Sequence, residues 1–98
     1  MVAQRLRDYE MMMILTPEAT EEEVTSSVDR ISKFIEDQGG SVTSQETIGQ
    51  RRLAYSINKF MEGIYVLIYL SLDAKDVIAL DRNLLGSDDV LRHLIMKK

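Results

Sequence analysis

Along the first part of the chain Tyr9, Met11, Met13 and Leu15 alternate with Asp8, Glu10, Met12 and Ile14. A period of two is the mark of a strand covered on one face. The first set predicts the core side, while the other face starts polar and ends apolar. Thr16-Pro17 breaks the strand. Thr20 followed by Glu23 has the spacing of a capping box, in which each side chain satisfies an exposed backbone N–H, so a helix is predicted to start near Thr20. Val24, Val28, Ile31 and Ile35 then recur at helical spacing with Phe34 beside them, and Glu21, Glu22 and Glu23 sit where the helix dipole favours anions. Gly39-Gly40 ends this element.

From Ser41 to Ile57 the chain is rich in Val, Thr, Ile and Tyr, which predicts one long strand with a bulge or bend at Gly49. Asn58 to Gly63 reads as a polar hairpin connection, with Gly63 as a turn position needing unusual backbone angles. The run Ile64 to Leu72 has no polar face. Ile64, Val66, Ile68, Leu70 and Leu72 suffice for the helix-side core, so Tyr65, Leu67 and Tyr69 need another cover. Asp73 is positioned to cap a second helix holding Val77, Ile78, Leu80, Leu84 and Leu85, ended by Gly86, before a last strand from Val90 to Met96. The order is βαββαβ. With right-handed crossovers both helices pack on one face of a four-stranded antiparallel sheet of order 4-1-3-2, an α+β ferredoxin-like sandwich. Residues 1–98 leave room for a single domain.

Composition agrees with a folded domain: 45% of residues are hydrophobic and 29% charged. The absence of Cys removes disulfides and thiolate chemistry and makes the cytoplasm the expected compartment. No apolar stretch follows Arg5 and Arg7 as in a signal peptide, and none approaches the ~20 residues of a membrane span, so neither export nor membrane insertion is expected. The net charge of −4 disfavours a polyanion partner only if it is evenly spread. It is not. Residues 18–38 carry seven acids against Arg30 and Lys33, a charge of −5, and the rest of the chain is +1. Its bases gather in Arg5/Arg7, Arg51/Arg52/Lys59 and Arg92/Lys97/Lys98, which predicts a basic face opposite an acidic helix.

Catalytic chemistry has little to work with. The single histidine, His93, is predicted as a partly exposed strand residue near Arg92 and Lys97, either touching RNA or facing solvent, and is given no proton-transfer role. Asp88-Asp89 and Glu21 to Glu23 are favoured electrostatically at loops and helix starts and do not make a metal site. Acylphosphatases share the βαββαβ order, but their phosphate loop needs glycines and an arginine where this chain has Leu15-Thr16-Pro17-Glu18. RNA-recognition motifs share it too, stacking bases on aromatics of the central strands. Tyr65 and Tyr69 would project from the helix-free face, yet the first strand offers Met12 and Ile14 beside them, so a protein-covered face is the better reading. No catalytic residue, metal, cofactor or small-molecule substrate is expected.

The segment Gly49-Gln50-Arg51-Arg52-Leu53-Ala54-Tyr55-Ser56-Ile57-Asn58-Lys59 resembles the signature of ribosomal protein six of the bacterial small subunit. Tyr9-Glu10, Glu62-Gly63-Ile64-Tyr65 and Asp88-Asp89-Val90-Leu91-Arg92 fall at the family's places, so the resemblance spans about residues 7–97. Ser56 departs from it, standing where the family usually has Pro. The resemblance implies a structural, non-enzymatic ribosomal constituent that binds the central domain of small-subunit ribosomal RNA together with the small basic ribosomal protein eighteen. Carried over to this chain, Arg51, Arg52 and Tyr55 are the main candidates for RNA or partner contact, with Arg7, Lys59, Arg92 and Lys97 behind them. Arg51 and Arg52, adjacent on a strand, point to opposite faces, so one is available to RNA and the other to the partner. Tyr65, Leu67 and Tyr69 form the expected partner-facing sheet surface. The competing reading is a non-catalytic ferredoxin-like interaction or regulatory domain, in which the bases merely protect an edge strand.

Overall fold

The computed structural model describes residues 6–57, 59–87 and 89–98; the sequence readings on Arg5, Asn58 and Asp88 lie outside them. Strand β1, Leu6–Leu15, buries Tyr9, Met11, Met13 and Leu15, as the alternation requires. Helix α1, Glu21–Asp37, opens with the capping box. The Glu23 amide donates to Thr20 Oγ1 at 3.2 Å, and the Thr20 amide donates to Glu23 Oε1 at 2.9 Å. Such a cap is worth about 1 kcal/mol. The helix buries Val24, Val28, Ile31 and Ile35, and its C-cap is Gln38, just ahead of the two glycines.

Strands β2, Ser41–Ile57, and β3, Phe60–Asp73, make a long hairpin. Its connection is shorter than the six residues the sequence suggested. Ile57 already pairs with Phe60, so Phe60 to Gly63 belong to β3, and Lys59 in the turn takes a positive φ of 72°. Two-residue hairpin turns demand positive φ, and here a lysine supplies it where a glycine was the expected marker. Gly63 is accordingly no turn residue. It lies in β3 opposite Arg51, and a Cβ there would stand 2.4 Å from Ile14 Cγ2, so its role is close approach between strands. Gly49 does bend β2: its φ is 108° and the register shifts between Thr47 and Gly49.

Helix α2, Ala74–Leu85, is capped by Asp73, which accepts the Lys75 amide at 3.1 Å. Leu80 and Leu84 are buried, whereas Ile78 and Leu85 stand exposed. Strand β4, Val90–Lys97, pairs with β1. The sheet runs β2-β3-β1-β4, all antiparallel, which is the predicted 4-1-3-2 order. The core lies between the helices and one sheet face, where β1 and β3 residues meet Ile31, Ile35, Leu80 and Leu84. Functional surface must therefore come from the other face, the edges or the hairpin.

Candidate RNA and protein interface

Register defines the helix-free face. Across β3, β1 and β4 its rows are Tyr69, Glu10 and Met96; then Leu67, Met12 and Leu94; then Tyr65, Ile14 and Arg92. Tyr65, Leu67 and Tyr69 are half-buried, while Leu94 and Met96 are 55% and 44% exposed. Apolar side chains thus continue across three strands without a helix over them, the kind of patch that marks an interface. The sequence reading identified the β3 and β1 shares of this face; β4 extends it through Leu94 and Met96.

At one end the hairpin arm bends over this face. Leu53 is only 6% exposed, and the Cβ position of Gly63 lies 3.7 Å from its Cδ2, beside Ile14. Leu53 therefore fastens the arm to the sheet, a role unassigned from sequence although an apolar residue between Arg51 and Tyr55 was its signal. Tyr55 crosses to β4, where its hydroxyl accepts a hydrogen bond from Arg92 Nη1 and its ring lies 5.3 Å from the guanidinium carbon. Arg51 shares the face of Gly63, and its Nη1 donates to the Gln50 carbonyl at 2.9 Å. Arg52 lies on the opposite face, paired across the strands with Glu62. Lys59 occupies the hairpin turn.

The fold thus brings Arg51, Arg52, Tyr55, Lys59 and Arg92 to the hairpin end and separates the other two candidates from them. Arg7 pairs with Leu72 and Lys97 with Tyr9, at the far end of the sheet and on its helix side. His93 is also on the helix side, opposite Met13. Its side chain is 10% exposed and its Nε2 lies 2.6 Å from Asp81 Oδ1, so the partly exposed strand residue expected from sequence faces α2 and is held there. The α2 carboxylate holds it away from the open face.

Asp89 belongs to a separate polar link between α1 and the segment preceding β4. It accepts the Ser27 hydroxyl and lies 3.4 Å from Arg30 Nη2, which also donates to Ser87 Oγ at 3.1 Å. Burial pushes the Asp89 carboxyl up, but the Ser27 hydrogen bond, a backbone hydrogen bond and the Arg30 guanidinium outweigh it and hold the group below its ordinary value. This network joins helix to loop and explains the acid without chemistry. Among the described residues no three His, Cys, Asp or Glu side chains gather as a metal site.

The family model for ribosomal protein S6 matches residues 8–97. The chain is 41% identical over 93 residues to small ribosomal subunit protein bS6 of Desulforamulus reducens, covering 95% of this chain and 98% of that one. It is 43% identical over 93 residues to the same protein of Carboxydothermus hydrogenoformans, covering 95% and 97%. Among solved structures, the crystal structure of 30S ribosomal protein S6 from Thermotoga maritima superposes with a TM-score of 0.89 at 33% identity, covering 96% of this chain and 89% of that chain. With almost its whole length matched in sequence and in fold, the chain belongs to the ribosomal protein S6 family, a structural and non-enzymatic constituent of the small ribosomal subunit.

Proposed function

We propose that this chain binds the central domain of small-subunit ribosomal RNA as a pair with the small basic ribosomal protein eighteen, using the hairpin end for RNA and the helix-free face for the protein. The observation that carries this reading is the bent arm. By fastening Leu53 beneath itself and Tyr55 onto Arg92, it brings Arg51 and Arg92 beside an uncovered apolar face, with Arg52 on the reverse of the same arm and Lys59 at its turn. Arginine forks suit phosphate oxygens, and an apolar patch with half-buried tyrosines suits a protein surface. Arg7 and Lys97, at the opposite end, have a lesser part in this arrangement.

A gel shift with a central-domain RNA fragment, run over a salt series with and without the partner, tests both halves. Binding should steepen with falling salt and strengthen when the partner is present. RNA binding that ignores salt would remove the arginines from the interface. Failure of the partner to bind would return the open face to the competing reading, an interaction surface for some other protein.

A further inference from the structure

The end of the open face farthest from the hairpin carries a feature that the RNA and apolar readings leave unused. A surface depression of about 400 Å³ is lined by Asp8, Glu10, Thr43, Ser44, Tyr69 and Lys98. Lys98 holds its ammonium 4.8 Å from the centroid of the Tyr69 ring. Its backbone amide donates to the Asp8 carbonyl at 3.0 Å, which closes the end of the sheet over the ring. Asp8 Oδ1 accepts the Ser71 hydroxyl at 2.7 Å, and Glu10 lies between Tyr69 and Met96 in the register. Among the described residues neither Asp8 nor Glu10 is in an ion pair. An aromatic floor with two carboxylates beside it suits a cation, and the chain already seats the Lys98 ammonium there.

We infer that this depression anchors a lysine or arginine side chain of the basic protein that docks on the open face, and that Lys98 occupies it until that partner arrives. The inference rests on the proposed docking of a basic protein and names the contact that orients it. Charge and position both favour such an occupant. The site is acidic, it adjoins the exposed Met96 and the half-buried Tyr69 of the apolar patch, and it lies at the opposite end of the face from Arg51 and Arg92. A partner reaching across the patch therefore meets carboxylates at one end and guanidinium groups at the other, which fixes its direction. Lys98 is exposed, so its hold on Tyr69 is of the weak, solvent-shared kind that a better placed cation displaces.

Partner affinity of wild type, Lys98→Ala, Tyr69→Leu and the double variant decides the matter, with circular dichroism checking the fold of each. Lys98→Ala should tighten binding by about two- to fivefold, the size of one exposed cation–π contact. Tyr69→Leu should weaken it and abolish the gain in the double variant. Unchanged or weaker binding by Lys98→Ala overturns the inference while leaving the docking reading intact. So does dimerisation of Lys98→Ala alone by sedimentation, which would give the face to a second copy. If wild type binds no partner, the docking reading fails, and tetralysine titrated into Lys98→Ala gives the separate answer. Shifts of the Tyr69 ring protons with tetralysine and not with tetraglutamate uphold the cation site; their absence overturns it.

Discussion

Replacing Gly63 by Ala puts a close approach between β3 and β1 to the test. The added Cβ would lie 2.4 Å from Ile14 Cγ2 and 3.2 Å from the Leu15 carbonyl oxygen, against about 3.5–4.0 Å for relaxed carbon contacts. Ile14 has little room to yield, since it is 9% exposed and Leu53 Cδ2 stands 3.7 Å from the same point. Either β3 withdraws from β1 by about 1 Å or Ile14 leaves its rotamer, an overpacking cost of about 1–3 kcal/mol. For a domain of this size each kcal/mol lowers Tm by roughly 4–8 °C. Urea unfolding followed by circular dichroism measures the loss, and a double-mutant cycle with Ile14→Ala locates it. Ile14→Ala alone should destabilise by lost burial, but in the Gly63→Ala background it also removes the clash. The pair should therefore be less unstable than the sum of the singles by about 1 kcal/mol or more. A Gly63→Ala protein within about 0.5 kcal/mol of wild type, or strict additivity with Ile14→Ala, would refute the reasoning.

Thr20→Ala removes half of the α1 capping box and should cost about 1 kcal/mol in urea unfolding without altering the circular dichroism of the folded state. Asp89 is held below its ordinary value in the folded chain, so its contribution is present above about pH 4 and lost as pH falls through the lower folded value. Asp89→Asn should accordingly flatten the acid side of a Tm-against-pH curve; an unchanged curve would dissociate Asp89 from acid unfolding. Arg51→Ala and Arg52→Ala should each leave stability within about 0.5 kcal/mol, while each lost phosphate contact flattens the slope of log affinity on log salt by roughly 0.7–0.9. Measured singly in the RNA and partner complex, Arg51→Ala should carry the larger slope change.

The elements that follow from short-range rules were legible in the chain. Period-two burial gave the core face of β1, the Thr20 and Glu23 spacing gave the start of α1, and the run Ile64 to Leu72 marked a central strand with a second face to cover. From these and handedness the strand order followed. What escaped depends on partners distant in sequence or on backbone geometry that side chains do not announce. Lys59 adopts positive φ without being Gly or Asn, so the turn was drawn too long and Gly63 was taken for part of it. His93 was legible as a partly exposed strand residue, but its partner Asp81 on α2 was not. The candidate site divides the same way. Arg51, Arg52 and Tyr55 were visible as a motif, but Tyr55 meeting Arg92, Leu53 fastening the arm and Lys98 over Tyr69 join β2 to β4, β2 to β1 and β3 to the end of β4.

The same geometry ranks the two adjacent arginines. Arg52 shares the helix-side face with Gln50 and Glu62, whose side chains hydrogen-bond at 2.5 Å, and the surface beside Gln50 and Gly49 also includes Glu21 from the acidic first turn of α1. A phosphate approaching from that side also meets carboxylates, and at a Debye length of about 8 Å charges at contact range are only partly screened. Arg51 looks the other way, onto the face where Tyr55 and Arg92 meet and where Leu53 closes the arm. The chain's excess of acid, concentrated on α1, thus lies behind the sheet from Arg51 and does not oppose an anion approaching there. Net charge of −4 and RNA binding are compatible for this reason. The alternation of side chains along β2 places Arg51 on the helix-free face that Tyr55 and Arg92 share and Arg52 on the helix-side face opposite Glu62.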